Sequence, residues 1–185
     1  MGAVVHRKIA ILGYPCVGKS SITLRYVYGS FPDGYETTIE DVHTKTHFFN
    51  GKEFDLEITD TAGQQEYSLF PRSVSVDVDG YILVYAIDDR KSFEIIRAIY
   101  EKLMENYCDR NTPLVLVGNK LDLQHNNRQV TTEEGKRLAA SWDAAFHETS
   151  AKDNTAVQPI FDSILRKIEI ANGNMRRPRN NCVIS

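Results

Sequence analysis

The chain has 185 residues, a formal net charge of −3, and 42% hydrophobic and 25% charged residues, values that suit one domain with its own core. The slight acidity argues against a protein that binds nucleic acid through a broad basic surface, and no segment has the roughly 20 apolar residues of a membrane-spanning helix. Three scattered cysteines and the lack of an apolar secretion signal indicate the reducing cytosol and argue against a zinc site.

Predicted strands and helices alternate along the chain. In order, they are a strand ending at Gly13, a helix at 20–28, strands at 42–49, 53–60 and 81–87, a helix at 91–107, a strand at 114–117, a helix at 131–141, a strand at 144–148 and a helix at 157–171. Asn50 and Gly51 join two alternating stretches, and this pair is typical of type I′ hairpin turns. Thr131 and Glu134 have the spacing of a capping box.

The alternation predicts an α/β fold with a mainly parallel sheet. Continuous apolar runs at 81–87 and 114–117 suit strands that are covered by helices on both faces. The hairpin has one apolar and one polar face, as expected near the edge of a sheet. Together with the other predicted strands it gives a six-stranded sheet with one antiparallel edge hairpin. Residues 1–171 are predicted to form this domain, and residues 172–185 a flexible C-terminal tail.

An eight-residue motif between the first strand and the first helix matches G-x-x-x-x-G-K-[ST]. It comprises Gly13, Tyr14, Pro15, Cys16, Val17, Gly18, Lys19 and Ser20. In this context the backbone N–H groups and the helix N-terminus bind phosphate oxygens, Lys19 contacts the β- and γ-phosphates, and Ser20 binds Mg²⁺. The motif also serves ATPases and nucleotide kinases, so it predicts a phosphate site without naming the base.

Two short segments at strand ends indicate guanine. They are Asn119-Lys120-Leu121-Asp122 and Ser150-Ala151-Lys152. The Asp122 carboxylate can accept hydrogen bonds from the N1 and N2 donors of guanine, and adenine has no such pair; a mismatch at a buried polar site costs about 10⁴–10⁵ in selectivity. The Ala151 N–H can reach the guanine O6. Taken alone, each segment is also compatible with an ordinary polar turn.

Four residues around the predicted hairpin are candidates for the metal and the γ-phosphate. Asp60 can hold Mg²⁺ through water, and Thr38 can give its hydroxyl to Mg²⁺ and its N–H to the γ-phosphate. The Gly63 N–H can approach the γ-phosphate because no side chain blocks it. Gln64 can orient an attacking water. Each segment alone is again compatible with a polar loop.

With these five segments in order, the chain resembles the Ras superfamily of small GTPases over residues 6–171 and its last four residues. It is most similar to the Rheb subfamily in the stretches 60–72, 80–86, 91–94 and 141–152. The resemblance implies a P-loop NTPase fold, binding of GTP and GDP with Mg²⁺, and slow hydrolysis of GTP by a monomer that binds no nucleic acid.

The resemblance also implies a role for each site residue. Nucleotide contacts are expected from Gly13, Pro15, Cys16, Val17, Gly18, Lys19, Ser20, Ser21, Phe31, Asp33, Tyr35, Thr38, Gly63, Asn119, Lys120, Asp122, Ser150, Ala151 and Lys152. Metal contacts are expected from Ser20, Thr38 and Asp60, and contributions to hydrolysis from Lys19, Thr38, Gly63 and Gln64. The expected effector segment comprises Tyr35, Glu36, Thr37, Thr38, Ile39, Glu40, Asp41 and Val42. Ser21 is expected at the α-phosphate and Phe31 against the guanine.

Two positions depart from the family pattern. Many Ras-like proteins have glycine where this chain has Pro15, and Rheb-like proteins usually have arginine. Pro15 lacks an N–H, and its ring stands where an activator's arginine finger enters, so it favours an atypical hydrolysis mechanism. Thr37 stands where a proline is common, which makes the first switch loop less stiff. As partners, the resemblance implies a tuberin-like activator that supplies an asparagine, and a target-of-rapamycin-like kinase complex as effector.

The last four residues, CVIS, match the C-a-a-X pattern and predict that farnesyltransferase modifies Cys182. One lipid chain binds membranes only marginally, and Arg176, Arg177 and Arg179 each add about 1 kcal/mol on an anionic surface. We therefore expect reversible attachment to the cytoplasmic face of membranes, endomembranes or lysosomes by resemblance, with a fraction in the cytosol.

Two other functions are compatible with parts of the sequence. One is a binding module that stays loaded with GTP without hydrolysing it; Pro15 favours this alternative and Gln64 argues against it. The other is a P-loop nucleotide kinase that binds ATP, against which Asp122 argues.

Overall fold

The computed structural model describes residues 4–32, 34, 38–65, 70–109 and 111–176. Within these ranges the elements are β1 Val5–Gly13, α1 Lys19–Tyr28, β2 Glu40–Phe49, β3 Lys52–Thr61, β4 Gly80–Ala86, α2 Arg90–Asn106, β5 Leu114–Asn119, α3 Thr132–Ser141, β6 Ala145–Glu148 and α4 Gln158–Ala171. Single 3₁₀ turns lie at Arg72–Val74 and Leu121–Leu123. Every predicted strand and helix is present, and the bounds differ by at most two residues.

The six strands form one sheet in the order β2-β3-β1-β4-β5-β6. The β2–β3 pair is antiparallel, and the other four neighbouring pairs are parallel. This confirms the predicted α/β fold with one antiparallel edge hairpin. The parallel strands all end at the same edge, where loops of such folds bind ligands.

The hairpin turn and the helix starts follow the predicted local chemistry. Asn50 and Gly51 both have positive φ, 52° and 74°, as a type I′ turn requires. The Thr131 hydroxyl accepts a hydrogen bond from the Glu134 N–H, and the Glu134 carboxylate accepts one from the Thr131 N–H, which completes the capping box of α3. The Asp89 side chain caps α2 by accepting from the Ser92 N–H.

Helices cover the sheet on both faces and enclose two apolar layers. Along β1, Ile9 and Ile11 belong to the layer under α1 and α4, while Ala10 and Leu12 belong to the layer under α2 and α3. Strand β4 is buried throughout, in agreement with its continuous apolar sequence. None of the helices in the described part of the chain is long and apolar enough to cross a membrane.

Two polar residues of the edge hairpin are buried. His47 pairs with Phe54 across the hairpin, is 6% exposed, and its Nε2 lies 2.8 Å from the Asp162 carboxylate of α4. Thr59 belongs to the face expected to be polar and wet, yet it is fully buried. The prediction of a polar, wet face is therefore wrong at Thr59, whereas His47 is a buried polar residue whose partner comes from a helix far along the chain.

The first residues of the predicted tail contact the domain. The backbone carbonyl of Glu169 accepts hydrogen bonds from the N–H groups of Asn174 and Met175, at 2.8 and 3.1 Å. The Glu169 carboxylate accepts from the Asn174 side chain and pairs with Arg7 at 2.6 Å. Residues 177–185, with the predicted lipidation site Cys182, lie outside the described residues.

Candidate nucleotide-binding site

A cavity of about 910 Å³ lies where the loops after β1, β3, β5 and β6 meet. The predicted site residues that line it are Pro15, Cys16, Gly18, Lys19, Ser20, Ser21, Phe31, Thr38, Asp60, Gly63, Asn119, Lys120, Asp122, Ala151 and Lys152. Further lining residues are Leu24, Pro32, Gly34, Asp41, His43, Thr61 and Ala62. Four loops that are distant in sequence thus form one chamber.

Some predicted residues do not line this cavity. Gly13, Val17, Gln64 and Ser150 are buried and do not line it, although each is close to a lining residue in sequence. Asp33, Tyr35, Glu36 and Thr37 lie outside the described residues, so their predicted contacts remain predictions.

The phosphate loop leaves β1 at Gly13 and enters α1 at Lys19. Cys16 and Gly18 have positive φ, 62° and 97°, a conformation that glycine adopts freely and cysteine rarely. A Cβ on Gly18 would also overlap the side-chain amide of Asn119. The second glycine of the motif is therefore required both by its backbone conformation and by the close approach of the base-binding segment.

Lys19 is the buried cation of the loop. It is 5% exposed, and its Nζ donates to the carbonyls of Gly13 and Tyr14 at 3.2 and 3.1 Å. Burial lowers the pKa of Lys19 to about 8, although the negative charge of Asp60 opposes this shift. The ammonium is thus held by carbonyls at the base of the cavity, where phosphate oxygens would be stronger partners.

Asn119 connects the phosphate loop to the base-binding segments. Its Nδ2 donates to the Val17 carbonyl at 2.8 Å, and its Oδ1 accepts from the Ala151 N–H at 3.3 Å. The Asp122 carboxylate accepts a hydrogen bond from the Ser150 hydroxyl at 2.8 Å. Ser150, which is buried and does not line the cavity, therefore orients the carboxylate predicted to bind guanine.

Arg25 and Asp88 support this region and have no signal in the sequence. The Arg25 guanidinium reaches from α1 to the carbonyls of Ala151 and Lys152, both at 2.9 Å. Asp88 pairs with Lys120 at 3.4 Å, where Lys120 adopts a φ of 68°. The Asp88–Lys120 pair joins residues more than thirty positions apart, and the Arg25 contacts join residues more than a hundred positions apart. No local sequence motif reveals such contacts.

Three oxygen-bearing side chains define the predicted metal position. The hydroxyls of Ser20 and Thr38 lie 2.8 Å apart, and Asp60 is 1% exposed. Burial raises the pKa of Asp60, while a hydrogen bond from Ser20 and the charge of Lys19 oppose the shift. The Asp60 Oδ1 has no hydrogen-bond partner among the described residues.

This donor set fits Mg²⁺. Hydroxyl and carboxylate oxygens are the hard ligands that Mg²⁺ prefers, usually together with water and phosphate. The described part of the chain holds no group of three or more His, Cys, Asp or Glu that could bind a metal alone. Ser20, Thr38 and Asp60 would hold the ion, and phosphate oxygens and water are the usual further ligands of Mg²⁺.

The segment after β3 is docked on the phosphate loop. The Gln64 N–H donates to the Gly13 carbonyl at 2.8 Å, and a Cβ on Gly63 would overlap the backbone and ring of Pro15. The Gln64 side chain is 4% exposed and donates to the Ala62 carbonyl at 2.9 Å. The residue predicted to orient the attacking water is thus buried and does not line the cavity in this structure.

The described part of the effector segment leads into the edge strand β2, beside the cavity. Ile39 and Val42 are 86% and 54% exposed, and Asp41 lines the cavity. The Ile39 carbonyl accepts from the Ala62 N–H at 3.1 Å, and Glu40 accepts from the Ser73 hydroxyl at 2.7 Å. An exposed apolar surface is therefore bonded directly to the segment that contains Gly63.

A phosphate loop, a hydroxyl–carboxylate metal position and a carboxylate oriented for guanine define a P-loop protein that binds guanine nucleotides. The Ras family profile matches residues 8–170. Rheb homolog 1 of Caenorhabditis elegans is 51% identical over 180 residues, which cover 96% of this chain and 86% of that protein. Rheb of Drosophila melanogaster is 49% identical, covering 97% of both chains, and human Rheb is 48% identical, covering 96% of both.

The chain therefore belongs to the Ras family of small GTPases, and within it to the Rheb subfamily. It binds GTP and GDP with Mg²⁺ and hydrolyses GTP to GDP. This assignment excludes the nucleotide-kinase alternative considered from the sequence.

Proposed function

We propose that this Rheb-like GTPase is a slow switch that acts at a membrane surface and activates a target-of-rapamycin-like kinase complex. The observation that carries the proposal is the hydrogen bond from the Ala62 N–H to the Ile39 carbonyl, which joins the γ-phosphate segment to an exposed apolar strand end. A change at Gly63 is therefore transmitted to the surface offered to an effector.

The size of the γ-phosphate contacts suits a two-state switch. Thr38 and Gly63 can each form one charge-assisted hydrogen bond to the γ-phosphate, and such a bond contributes about 1.5–3 kcal/mol. Two bonds give roughly 3–6 kcal/mol, and about 5.5 kcal/mol moves a population from 1:99 to 99:1. Hydrolysis removes both contacts and releases the loops.

Slow turnover follows from the surroundings of the γ-phosphate. Gln64 is buried, and Pro15 offers no N–H and packs against Gly63. Without a further stabilising group, turnover should be on the order of 10⁻⁴ s⁻¹. A tuberin-like activator that supplies an asparagine would meet less steric conflict with Pro15 than one that supplies an arginine.

Membrane attachment is supported by the C-a-a-X sequence at Cys182. A single farnesyl chain binds reversibly, and the arginines of the tail strengthen attraction to anionic lipid by about 1 kcal/mol each. The cytoplasmic face of endomembranes or lysosomes is the proposed location, with farnesyltransferase as the modifying partner and a fraction of the protein in the cytosol.

The test is kinase activity of a purified target-of-rapamycin complex with the full-length protein loaded with GTP or GDP. The GTP form should stimulate the kinase and the GDP form should not. Ile39→Lys should abolish stimulation, whereas Phe48→Lys, a change at another exposed apolar residue near the far end of β2, should not. Equal stimulation by both loaded forms contradicts the switch, and no stimulation by the GTP form contradicts the effector.

A second function remains supported by one observation. Because the Gln64 side chain is buried and does not line the cavity, the protein would persist in the GTP form if no activator met it. The ratio of bound GTP to GDP after purification, together with hydrolysis and exchange rates, separates a cycling switch from a constitutively loaded binding module.

A further inference from the structure

We propose that Cys16 is a modification site: its thiol exchanges with small anionic peptide disulfides such as glutathione disulfide, and the mixed disulfide excludes nucleotide from the cavity. This inference depends on nucleotide binding, but not on the proposed effector or membrane attachment.

The position of Cys16 makes its thiol accessible. Cys16 is exposed and lines the cavity together with Gly18 and Lys19, and its positive φ places it in the turn of the phosphate loop. Cys108, in contrast, is half-buried, and burial raises the pKa of its thiol. Among the cysteines that the structure describes, only Cys16 combines exposure with a place in a ligand cavity.

Two buried charged groups show that this cavity is built for an anion accompanied by a cation. Lys19 is 5% exposed and lines the cavity together with Cys16, three positions before it in the phosphate loop. Independently, Asp60 is 1% exposed, lines the cavity, and has an Oδ1 without a hydrogen-bond partner in the described ranges.

The same cradle attracts an anionic disulfide. Backbone N–H groups at the start of α1 and the Lys19 ammonium favour any anion that enters the loop, and the carboxylates of glutathione disulfide qualify as well as phosphates do. A neutral disulfide of similar size lacks this attraction. Faster reaction of Cys16 with an anionic disulfide than with a neutral or cationic one would therefore distinguish this site from a thiol that reacts with any disulfide.

The chemical step is a thiol–disulfide exchange. The Cys16 thiol loses its proton to water, and the thiolate attacks one sulfur of the disulfide. A new S–S bond forms at Cys16 while the original S–S bond breaks, and the released glutathione thiolate takes up a proton. Cys16 is oxidised and one half of the reagent is reduced, so no other redox partner is required.

The adduct and the nucleotide compete for the same space. A glutathionyl group on Cys16 extends into the chamber that the phosphates occupy, so modification lowers nucleotide affinity. By linkage, bound nucleotide must oppose modification to the same degree at equilibrium. Modification should thus be confined to the interval in which the protein has released its nucleotide.

The experiment compares two samples of the full chain. One has Mg·GDP bound, and the other is nucleotide-free, because a chelator has removed the Mg²⁺ and the released GDP has been separated. Both are treated with glutathione disulfide and analysed by intact mass and peptide mapping. Bound GDP should slow modification of Cys16 at least about tenfold. The modified protein should lose binding of fluorescent GDP and regain it with dithiothreitol, and cystamine, a cationic disulfide, should react more slowly.

The controls compare each variant with and without disulfide treatment. Cys16→Ser, whatever its own affinity, should show no loss of GDP binding on treatment. Cys108→Ser and Cys182→Ser should remain as sensitive as the parent protein. The proposal is overturned if Cys16 stays free while another cysteine reacts, if GDP gives no protection, or if protein modified at Cys16 binds GDP with unchanged affinity.

Discussion

Asn119 offers the sharpest test of how the cavity is held together, because one side chain joins two of its walls. The residue is 3% exposed and bonds the Val17 carbonyl and the Ala151 N–H, both of which belong to buried residues. Asn119→Ala leaves one acceptor and one donor without a partner, and each unsatisfied buried group costs about 1–3 kcal/mol. The free energy of unfolding should therefore fall by about 2–6 kcal/mol.

The loss should also appear in nucleotide release. If at least about 1.4 kcal/mol of this loss weakens the binding of GDP, dissociation of GDP becomes at least about tenfold faster. Release of fluorescent GDP measures this rate, and urea unfolding at a fixed excess of Mg·GDP measures stability. Asn106→Ala is the matched control, because Asn106 is exposed at the end of α2 and its side chain donates to the carbonyl of Lys102, one turn away.

Two results would refute this reasoning. If Asn119→Ala releases GDP within about threefold of the parent rate, the bridge between the phosphate loop and the base-binding loop does not support binding. If Asn106→Ala produces an equal loss of stability, the effect is not specific to the buried bridge.

Three further predictions follow from other sites. Gln64→Leu should change single-turnover GTP hydrolysis by less than about threefold, because the side chain does not line the cavity; a loss of tenfold or more would show that Gln64 turns inward during hydrolysis. Burial lowers the pKa of His147, so the folded protein binds this proton less well than the unfolded chain, and stability that is present above pH 6.5 should decline as the pH falls below it. In urea titrations between pH 7 and 5, His147→Gln should make that decline less steep, and an unchanged slope would contradict a contribution from His147. When the protein is expressed in cells that prenylate proteins and the cell extract is fractionated, Cys182→Ser should move it from the membrane to the soluble fraction. Unchanged partition would contradict lipid attachment.

Much of the fold could be predicted because its signals are local. The Asn50-Gly51 turn, the capping box at Thr131 and the phosphate loop each depend on residues within a few positions of one another. Their chemistry is determined by backbone conformation, which the residue type restricts directly. The same applies to the buried run of β4, whose apolar sequence indicates coverage on both faces.

The features that escaped prediction depend on contacts between distant segments. His47 is buried because Asp162 of α4 reaches it, and Arg25 supports the base-binding loop through carbonyls more than a hundred residues away. Gln64 is buried in a segment whose backbone is bonded to Gly13 and in which Gly63 approaches Pro15 closely. A motif identifies which chemistry a residue can perform, whereas these side-chain orientations follow from the packed structure.

The attachment of Asn174 and Met175 to Glu169 has a consequence for any anchor placed on Cys182. From Arg176, the last described residue, six Cα steps separate the folded domain from that cysteine, a span of at most about 22 Å. The tether therefore starts from a segment that is bonded back to Glu169 in the last turn of α4, close to Arg7 of β1. A lipidated molecule would accordingly stay within one protein diameter of the bilayer and would scan only a narrow shell above it for partners.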